Sequence, residues 1–145
     1  MSEITIEYQP EVSSEDRLAV VDGLIGYNRE QGFVWERRPL NVLARDASER
    51  VVGGLLGEIN LQWLFVSALW VDPELRGIGV GSSLLAEAEA RAREQGCVGV
   101  YLDTFSFQAR PFYEGLGYVL FGELADIPPG ATKYYLKKVL SDPRA

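Results

Sequence analysis

The chain has 145 residues, and it contains no histidine and one cysteine, Cys97. A single cysteine cannot form an internal disulfide, and a chain without histidine lacks the usual ligand sets of zinc and copper, so we expect no metal site. The absence of imidazole also excludes Ser-His-Asp and Cys-His mechanisms. A carboxylate, a tyrosine, a lysine, a chain terminus or water must therefore supply any acid or base.

Lysine is also scarce, with three residues, and 14 basic residues stand against 21 acidic ones, for a net charge of −7. Because such a surface repels a phosphate backbone, we expect no nucleic-acid binding. The longest apolar stretch, residues 63–71, is less than half of the roughly 20 residues that a membrane-spanning helix needs. The first residues lack the cationic and apolar regions of a secretory signal, so we expect a cytoplasmic protein that binds no membrane.

The composition is that of a globular protein, with 47% hydrophobic and 24% charged residues. Because no repeat or linker-like run divides the chain, we expect one domain over residues 1–145. Alternating apolar residues predict a strand over residues 4–9, and Ser13 with Asp16 predicts the start of a helix. Residues 27–39 are expected to form a mobile connection after that helix.

The rest of the chain alternates between strand and helix patterns. Residues 40–45, 51–59 and 63–71, separated by polar turns, predict an antiparallel meander. Residues 82–95 have the helical period, with the pairs Glu87/Arg91 and Glu89/Arg93 expected on the outer face, and Gly96 ends the helix. The remaining predicted elements are a strand over 98–102, a short helix over 111–116, and strands over 118–122 and 133–139. The predicted fold class is mixed α/β, with about seven strands and three or four helices.

A glycine-rich turn, Arg76-Gly77-Ile78-Gly79-Val80-Gly81, joins the third strand of the meander to the long helix. Glycines let a ligand approach the backbone closely, and the N–H groups of a helix N-terminus converge on an anion. Arg76 would add a charge-assisted contact to a phosphate oxygen. The turn therefore predicts a phosphate site, and the structural alternative is a tight turn that needs glycine for its backbone angles.

Two familiar phosphate motifs fit this turn poorly. A P-loop requires a lysine, and none lies near. A dinucleotide fingerprint requires a third glycine where Ser82 stands, although Asp103 after the next strand would imitate its ribose-binding acid. A nucleotide-binding module that takes NAD or ATP stays as a weaker alternative.

A third motif, [QR]-x-x-G-x-[GA], matches the turn, and residues 109–118 match A-x-x-F-Y-x-x-x-G-[FY] with Tyr113 as its tyrosine. With both motifs in this order, the sequence resembles the GNAT acetyltransferase superfamily over nearly its whole length. The resemblance implies the GNAT fold, a mostly antiparallel sheet whose fourth and fifth strands, here 63–71 and 98–102, part to receive a pantetheine arm. It also implies acetyl-CoA as donor and a primary amine as acceptor.

The resemblance further implies which residues contact the cofactor. A backbone N–H near Leu69 would hold the thioester oxygen, and the Tyr113 phenol would protonate the departing thiolate. Ser106 stands where many members have a cofactor-binding Asn. The full predicted set is Leu69, Trp70, Val71, Arg76, Gly77, Ile78, Gly79, Val80, Gly81, Ser82, Ser106 and Tyr113.

The general base is less clearly indicated. An amine with a lysine-like pKa of about 10.4 is neutral at pH 7 only about once in 2,500 molecules, so a base or a water chain is expected. Where some members carry a catalytic Glu, this chain has Trp63, which cannot act as a base. Glu58 and Asp103, both near strand ends, are the candidate bases, and attack by an amine that arrives neutral is the alternative.

For the acceptor, the resemblance implies a site bounded by residues 27–39 and 124–132. Aromatic residues are expected to line an apolar pocket for a small amine, although core packing would explain them equally well. They are Tyr27, Phe33, Trp35, Trp63 and Phe105. A protein amine as acceptor, a homodimer, and a non-catalytic CoA-binding sensor on the same fold stay open, although Tyr113 argues against the sensor.

Overall fold

The computed structural model describes residues 3–140. Contacts within the chain divide it into two compact units, with the boundary between Trp35 and Glu36. Within residues 3–140, the first unit contains one α-helix, and the second contains a six-stranded sheet with two α-helices and a short 3-10 helix. Within the described residues, no helix combines the length and the apolar character that a bilayer crossing requires. The expectation of one domain over residues 1–145 stays a prediction.

The helix of the first unit, α1, spans Ser14–Glu30. Its N-cap is Ser13, whose Oγ accepts the N–H of Asp16 at 3.1 Å, as predicted. The predicted strand over residues 4–9 is wrong, because the structure has no strand before α1 in the part of the chain it describes. Alternation produces a strand only where a neighbour takes the backbone hydrogen bonds and a packed layer takes one face.

The second unit is built on a sheet with the strand order β1-β2-β3-β4-β6-β5. Neighbouring strands pair antiparallel except β3 and β4, which are parallel, so the predicted meander over β1, β2 and β3 is confirmed. Six strands replace the predicted seven, since residues 4–9 contribute none. The strands are β1 (Arg38–Arg45), β2 (Val51–Asn60), β3 (Trp63–Val71), β4 (Gly99–Phe105), β5 (Val119–Ala125) and β6 (Thr132–Val139).

Helix α2 (Val80–Glu94) crosses one face of the sheet, and α3 (Arg110–Gly115) follows β4. The apolar stripe of α2 that the sequence predicts is buried, and it packs against the inward side chains of β2, β3 and β4. The predicted end of α2 is confirmed. Gly96 adopts φ +81°, and the N–H of Cys97 reaches the carbonyl of Ala92 at 2.9 Å, as in a Schellman motif.

One helix residue lies where the sequence did not place it. Glu87 pairs with Arg91 at 2.8 Å on the outer face, as predicted, but Glu89 is buried and 6% exposed. Its carboxylate accepts the Tyr118 hydroxyl at 2.9 Å and the Lys138 ammonium at 2.9 Å. The expected exposed Glu89/Arg93 pair is therefore wrong, because a buried carboxylate is stable only with donors that compensate its lost hydration.

The pairing of β3 changes halfway along the strand. Leu56 of β2 opposes Ala68 and Gly57 opposes Val66, so Ser67 is the extra residue of a β-bulge. Its Oγ donates to the carbonyl of Leu56 at 3.1 Å. On the other side, β3 pairs with β4 only as far as Val66. The predicted parting of these two strands is thus confirmed, and it opens the sheet beyond the bulge.

Candidate active site

A cleft of about 860 Å³ lies where β3 and β4 part. The C-terminal end of β3 and the glycine turn form one side, and the end of β4, the following connection and α3 form the other. Ten of the twelve predicted cofactor residues line this cleft: Leu69, Trp70, Val71, Arg76, Gly77, Gly79, Val80, Gly81, Ser82 and Tyr113.

The glycine turn presents free backbone donors to this cleft. Gly77 and Gly79 have φ of +82° and +90°, which residues with a side chain rarely adopt, so the backbone angles of the turn require glycine at both positions. Gly79 is the N-cap of α2, and no side chain in the described part of the chain caps the helix. The first N–H groups of the helix are therefore left for a ligand, at the positive end of the helix dipole. Arg76 donates Nε to the carbonyl of Val71 at 3.3 Å, which leaves its two terminal nitrogens for an anion.

The free edge of β3 supplies a second set of backbone groups. The N–H of Asp72 donates to the carbonyl of Val52 in β2 at 2.8 Å. Because backbone groups alternate in direction along a strand, the N–H and C=O groups of Trp70 also point toward β2. Those of Leu69 and Val71 point toward the cleft. Their amides are thus placed to pair with an extended ligand that lies between β3 and β4.

Tyr113 reaches the cleft from α3. The helix ends at Gly115 with Leu116 as its C-cap. Gly117 follows with φ +96°, and the N–H of Tyr118 donates to the carbonyl of Tyr113 at 3.1 Å. Burial raises the pKa of the Tyr113 phenol above its ordinary value, and the charge of Asp103 raises it further. At neutral pH the phenol is therefore protonated, as a proton donor must be.

Residues 2–118 match the model of the Acetyltransferase (GNAT) family. The chain belongs to this family. A blasticidin-S acetyltransferase of Streptomyces morookaense is 50% identical over 111 residues, which cover 74% of this chain and 82% of that protein. This member of the GNAT family is accordingly an acetyltransferase.

Two solved structures share its fold. A Bacillus cereus acetyltransferase superposes with a TM-score of 0.84 at 29% identity, covering 92% of this chain and 98% of that one. An aminoglycoside 6′-N-acetyltransferase, solved with coenzyme A, superposes with a TM-score of 0.65 at 18% identity, covering 72% of this chain and 75% of that one.

The two candidate bases of this GNAT acetyltransferase lie in different places. Asp103 lines the cleft with Tyr113, and its carboxylate lies 3.9 Å from the Lys133 ammonium. Glu58 of β2 lies opposite Phe65 of β3, which precedes the bulge residue Ser67. The Glu58 carboxylate lies 3.7 Å from Nε of Arg37. The structure therefore brings Asp103, and not Glu58, together with Tyr113.

Two predicted cofactor residues of the GNAT chain lie outside the lining. Ile78 borders a smaller depression beside β1. Ser106 forms two hydrogen bonds with Thr132, since its N–H donates to the Thr132 carbonyl at 2.8 Å and its Oγ accepts the Thr132 N–H at 3.0 Å. The serine hydroxyl thus joins the end of β4 to the start of β6.

The predicted acceptor residues are also dispersed. Trp63 pairs with Gly99 at the start of β4, whereas Phe105 is the last residue of that strand, so the two aromatics lie at opposite ends. Phe105 stacks on Phe107, a lining residue of the cleft, with 5.2 Å between ring centroids. Tyr27, Phe33 and Trp35 belong to the first unit, and their part in acceptor binding stays a prediction.

Six lining residues of this GNAT site are not among the predicted site residues: Leu75, Thr104, Phe107, Gln108, Ala109 and Phe112. Phe107 and Gln108 lie in the connection from β4 to α3, just before the second family motif, and Ala109 and Phe112 belong to that motif. Gly81 has a steric role as well, because a Cβ there would lie 3.1 Å from Cζ of Phe112. Position between the end of β4 and this motif is the signal that would have found Phe107 and Gln108, and membership of the motif is the signal for Ala109 and Phe112.

Proposed function

We propose that this acetyltransferase uses acetyl-CoA to acetylate a primary amine of a small molecule, by direct attack in a ternary complex. The observation that carries the proposal is the cleft, in which free N–H groups, a free strand edge and a protonated tyrosine meet. The pyrophosphate would bind at the N-terminus of α2 beside Arg76, where free N–H groups and the helix dipole favour an anion.

From that anchor the pantetheine arm would extend along the unpaired half of β3. Its amides would pair with the backbone of Leu69 and with the N–H of Val71, which alternation directs into the cleft, since the Val71 carbonyl already accepts Arg76 Nε. The N–H of Leu69 would then donate to the thioester oxygen and stabilise the negative charge that develops in the tetrahedral intermediate. This role needs a backbone position and no particular side chain.

Tyr113 would act as the general acid when the intermediate collapses. The C–S bond breaks, the carbonyl re-forms, and the departing CoA thiolate takes the phenolic proton. A thiol pKa near 8.5 makes this proton helpful at neutral pH, and the raised pKa of Tyr113 keeps it available. Asp103 is the better-placed base for the attacking ammonium, directly or through water, because it shares the cleft with Tyr113.

A small-molecule acceptor is supported by the Streptomyces relative, whose name states its action on blasticidin S. Blasticidin S is therefore the first compound to assay. Calorimetric titration with acetyl-CoA, CoA, NAD and ATP should give binding of the two coenzyme A species alone. Release of free thiol from acetyl-CoA should then depend on the added amine, and the absence of acetyl-CoA binding would overturn the proposal.

Two variants test the assigned roles. Tyr113→Phe should lower kcat by about 100- to 10,000-fold and leave acetyl-CoA affinity nearly unchanged, whereas Tyr101→Phe on the adjacent strand should keep full activity. Arg76→Ala should weaken acetyl-CoA binding by about 10- to 100-fold, the loss expected for a charge-assisted contact. Unchanged kcat in Tyr113→Phe would remove this residue from the mechanism.

A further inference from the structure

The amide of Gln108 is held by its oxygen alone. Oε1 accepts the backbone N–H of Phe105 at 2.8 Å and the Thr104 hydroxyl at 3.2 Å. Since a backbone N–H can only donate, the atom that faces it must be the amide oxygen, and the orientation of the amide is fixed. The Nε2 group, with its two donor hydrogens, makes no hydrogen bond to another group within residues 3–140.

The residue that carries this free donor is one of the lining residues of the cleft. Gln108 lies in the connection between β4 and α3, and it lines the cleft together with Thr104, Phe107 and Tyr113. The end of β3 and the glycine turn line the same cleft. Ser106, in contrast, has its hydroxyl engaged with Thr132 and does not line the cleft. Of these two polar side chains, Gln108 is the one available to a ligand.

We propose that Gln108 is a cofactor-binding residue whose Nε2 donates to an amide carbonyl of the pantetheine arm. The inference rests on the proposed function, because it takes acetyl-CoA as the ligand. With its pyrophosphate at α2 and its sulfur at Tyr113, the arm must pass the β4–α3 connection, and its amide carbonyls are the acceptors it carries there. Because two bonds already fix the Gln108 oxygen, little side-chain freedom is lost when the donor is used.

The test uses a substitution that removes the NH2 group of Gln108 and keeps the oxygen that accepts its two hydrogen bonds. Gln108→Glu retains an oxygen for Phe105 and Thr104 but replaces the NH2 group by a second acceptor. Acetyl-CoA should then bind about tenfold more weakly or worse, since a donor is lost and two acceptors are brought together. The nucleotide half of the cofactor, 3′-phosphoadenosine 5′-diphosphate, has no pantetheine and should bind Gln108→Glu and the wild type equally.

Two further variants separate the hydrogen bond from charge and folding. Gln95→Glu adds the same charge at the far end of α2 and should bind acetyl-CoA like the wild type. Gln108→Met has no charge and should weaken acetyl-CoA binding while keeping the nucleotide half bound. Calorimetry at about 0.15 M and higher salt would show whether the loss survives screening.

The outcomes distinguish the inference from the proposed function. If the wild type binds acetyl-CoA and Gln108→Glu matches Gln95→Glu, the Gln108 contact is refuted and the proposed function stands. If Gln108→Glu weakens the nucleotide half as much as acetyl-CoA, the effect is one of charge and the contact is again refuted. If the wild type binds no acetyl-CoA, the proposed function itself fails.

Discussion

Replacing Tyr118 by phenylalanine would remove one hydroxyl from the buried cluster of Tyr118, Glu89 and Lys138. The hydroxyl donates to Glu89 at 2.9 Å, and both Tyr118 and Glu89 are almost fully buried. A hydrogen bond to a charged group contributes about 1.5–3 kcal/mol, and the carboxylate would keep only its Lys138 partner. Phenylalanine retains the ring, so little packing is lost. We expect the free energy of unfolding to fall by about 2 kcal/mol.

The size of this loss should depend on pH. Burial raises the pKa of Tyr118 well above its usual value, and the charge of Glu89 raises it further. In the unfolded chain the phenol ionises near pH 10, so the contribution of Tyr118 is full below that pH and is lost as the pH rises above it. At about pH 10.5, ionisation of the unfolded state removes about 0.8 kcal/mol of the difference between wild type and variant.

Urea unfolding followed by tryptophan fluorescence measures both effects, at about pH 7.5 and about pH 10.5. Tyr101→Phe is the matched control, because its ring is 37% exposed and the change should cost less than about 0.5 kcal/mol. If Tyr118→Phe is as stable as Tyr101→Phe at pH 7.5, the hydroxyl does not stabilise the buried carboxylate. If the loss at pH 10.5 equals that at pH 7.5, the argument from the raised pKa is refuted.

Two further predictions concern a glycine and the reaction's pH profile. A Cβ on Gly99 would lie 2.5 Å from the Trp63 ring and 2.8 Å from the Lys138 carbonyl, so Gly99→Ala should cost about 1–3 kcal/mol of unfolding free energy. Gly115→Ala meets no atom within 4 Å and should not destabilise, and equal urea midpoints for the two variants would contradict the steric argument. Since the pKa of Tyr113 is raised, ionisation of Tyr113 should not lower kcat at any pH up to about 10. The measurement is kcat at saturating acceptor, followed by the loss of thioester absorbance. A loss of kcat at lower pH that Tyr113→Phe does not share would show that Tyr113 ionises earlier.

Local sequence patterns predicted most elements of the second unit. β3 has its predicted bounds, and α2 begins two residues earlier than predicted and ends at its Schellman motif. These features depend on period, caps and turn residues, which are local properties of the chain. The strand over residues 4–9 failed for the opposite reason, since an alternating pattern needs a partner strand that the pattern cannot name.

The error at Glu89 came from contacts between distant segments. Glu89 has the spacing of an exposed ion pair, and only its meeting with Tyr118 and Lys138 accounts for its burial. Trp63 begins β3 and Phe105 ends β4, and parallel strands place their carboxyl ends together, so the pairing of β3 with β4 separates the two aromatics. Trp63 and Val71 are eight residues apart in an extended strand, so about 26 Å separates Trp63 from the end of β3 that lines the cleft.

The cleft itself follows from one extra residue. Ser67 increases the local twist of β3, as β-bulges do, and pairing with β4 ends at the residue before it. An open strand edge inside a sheet exposes unpaired N–H and C=O groups, an arrangement that proteins usually avoid. Here β4 continues beyond Leu102, the partner of Val66, and pairs with β6 through Phe105. The two halves of the sheet are therefore joined below the gap, and the gap itself stays open. An extended ligand with amide groups can supply the missing hydrogen bonds, whereas a rigid or amide-poor ligand cannot. Under the proposed function, the open strand edge beyond the bulge would favour a donor that carries amide groups along an extended chain, and the side chains around Tyr113 would be left to select the acceptor.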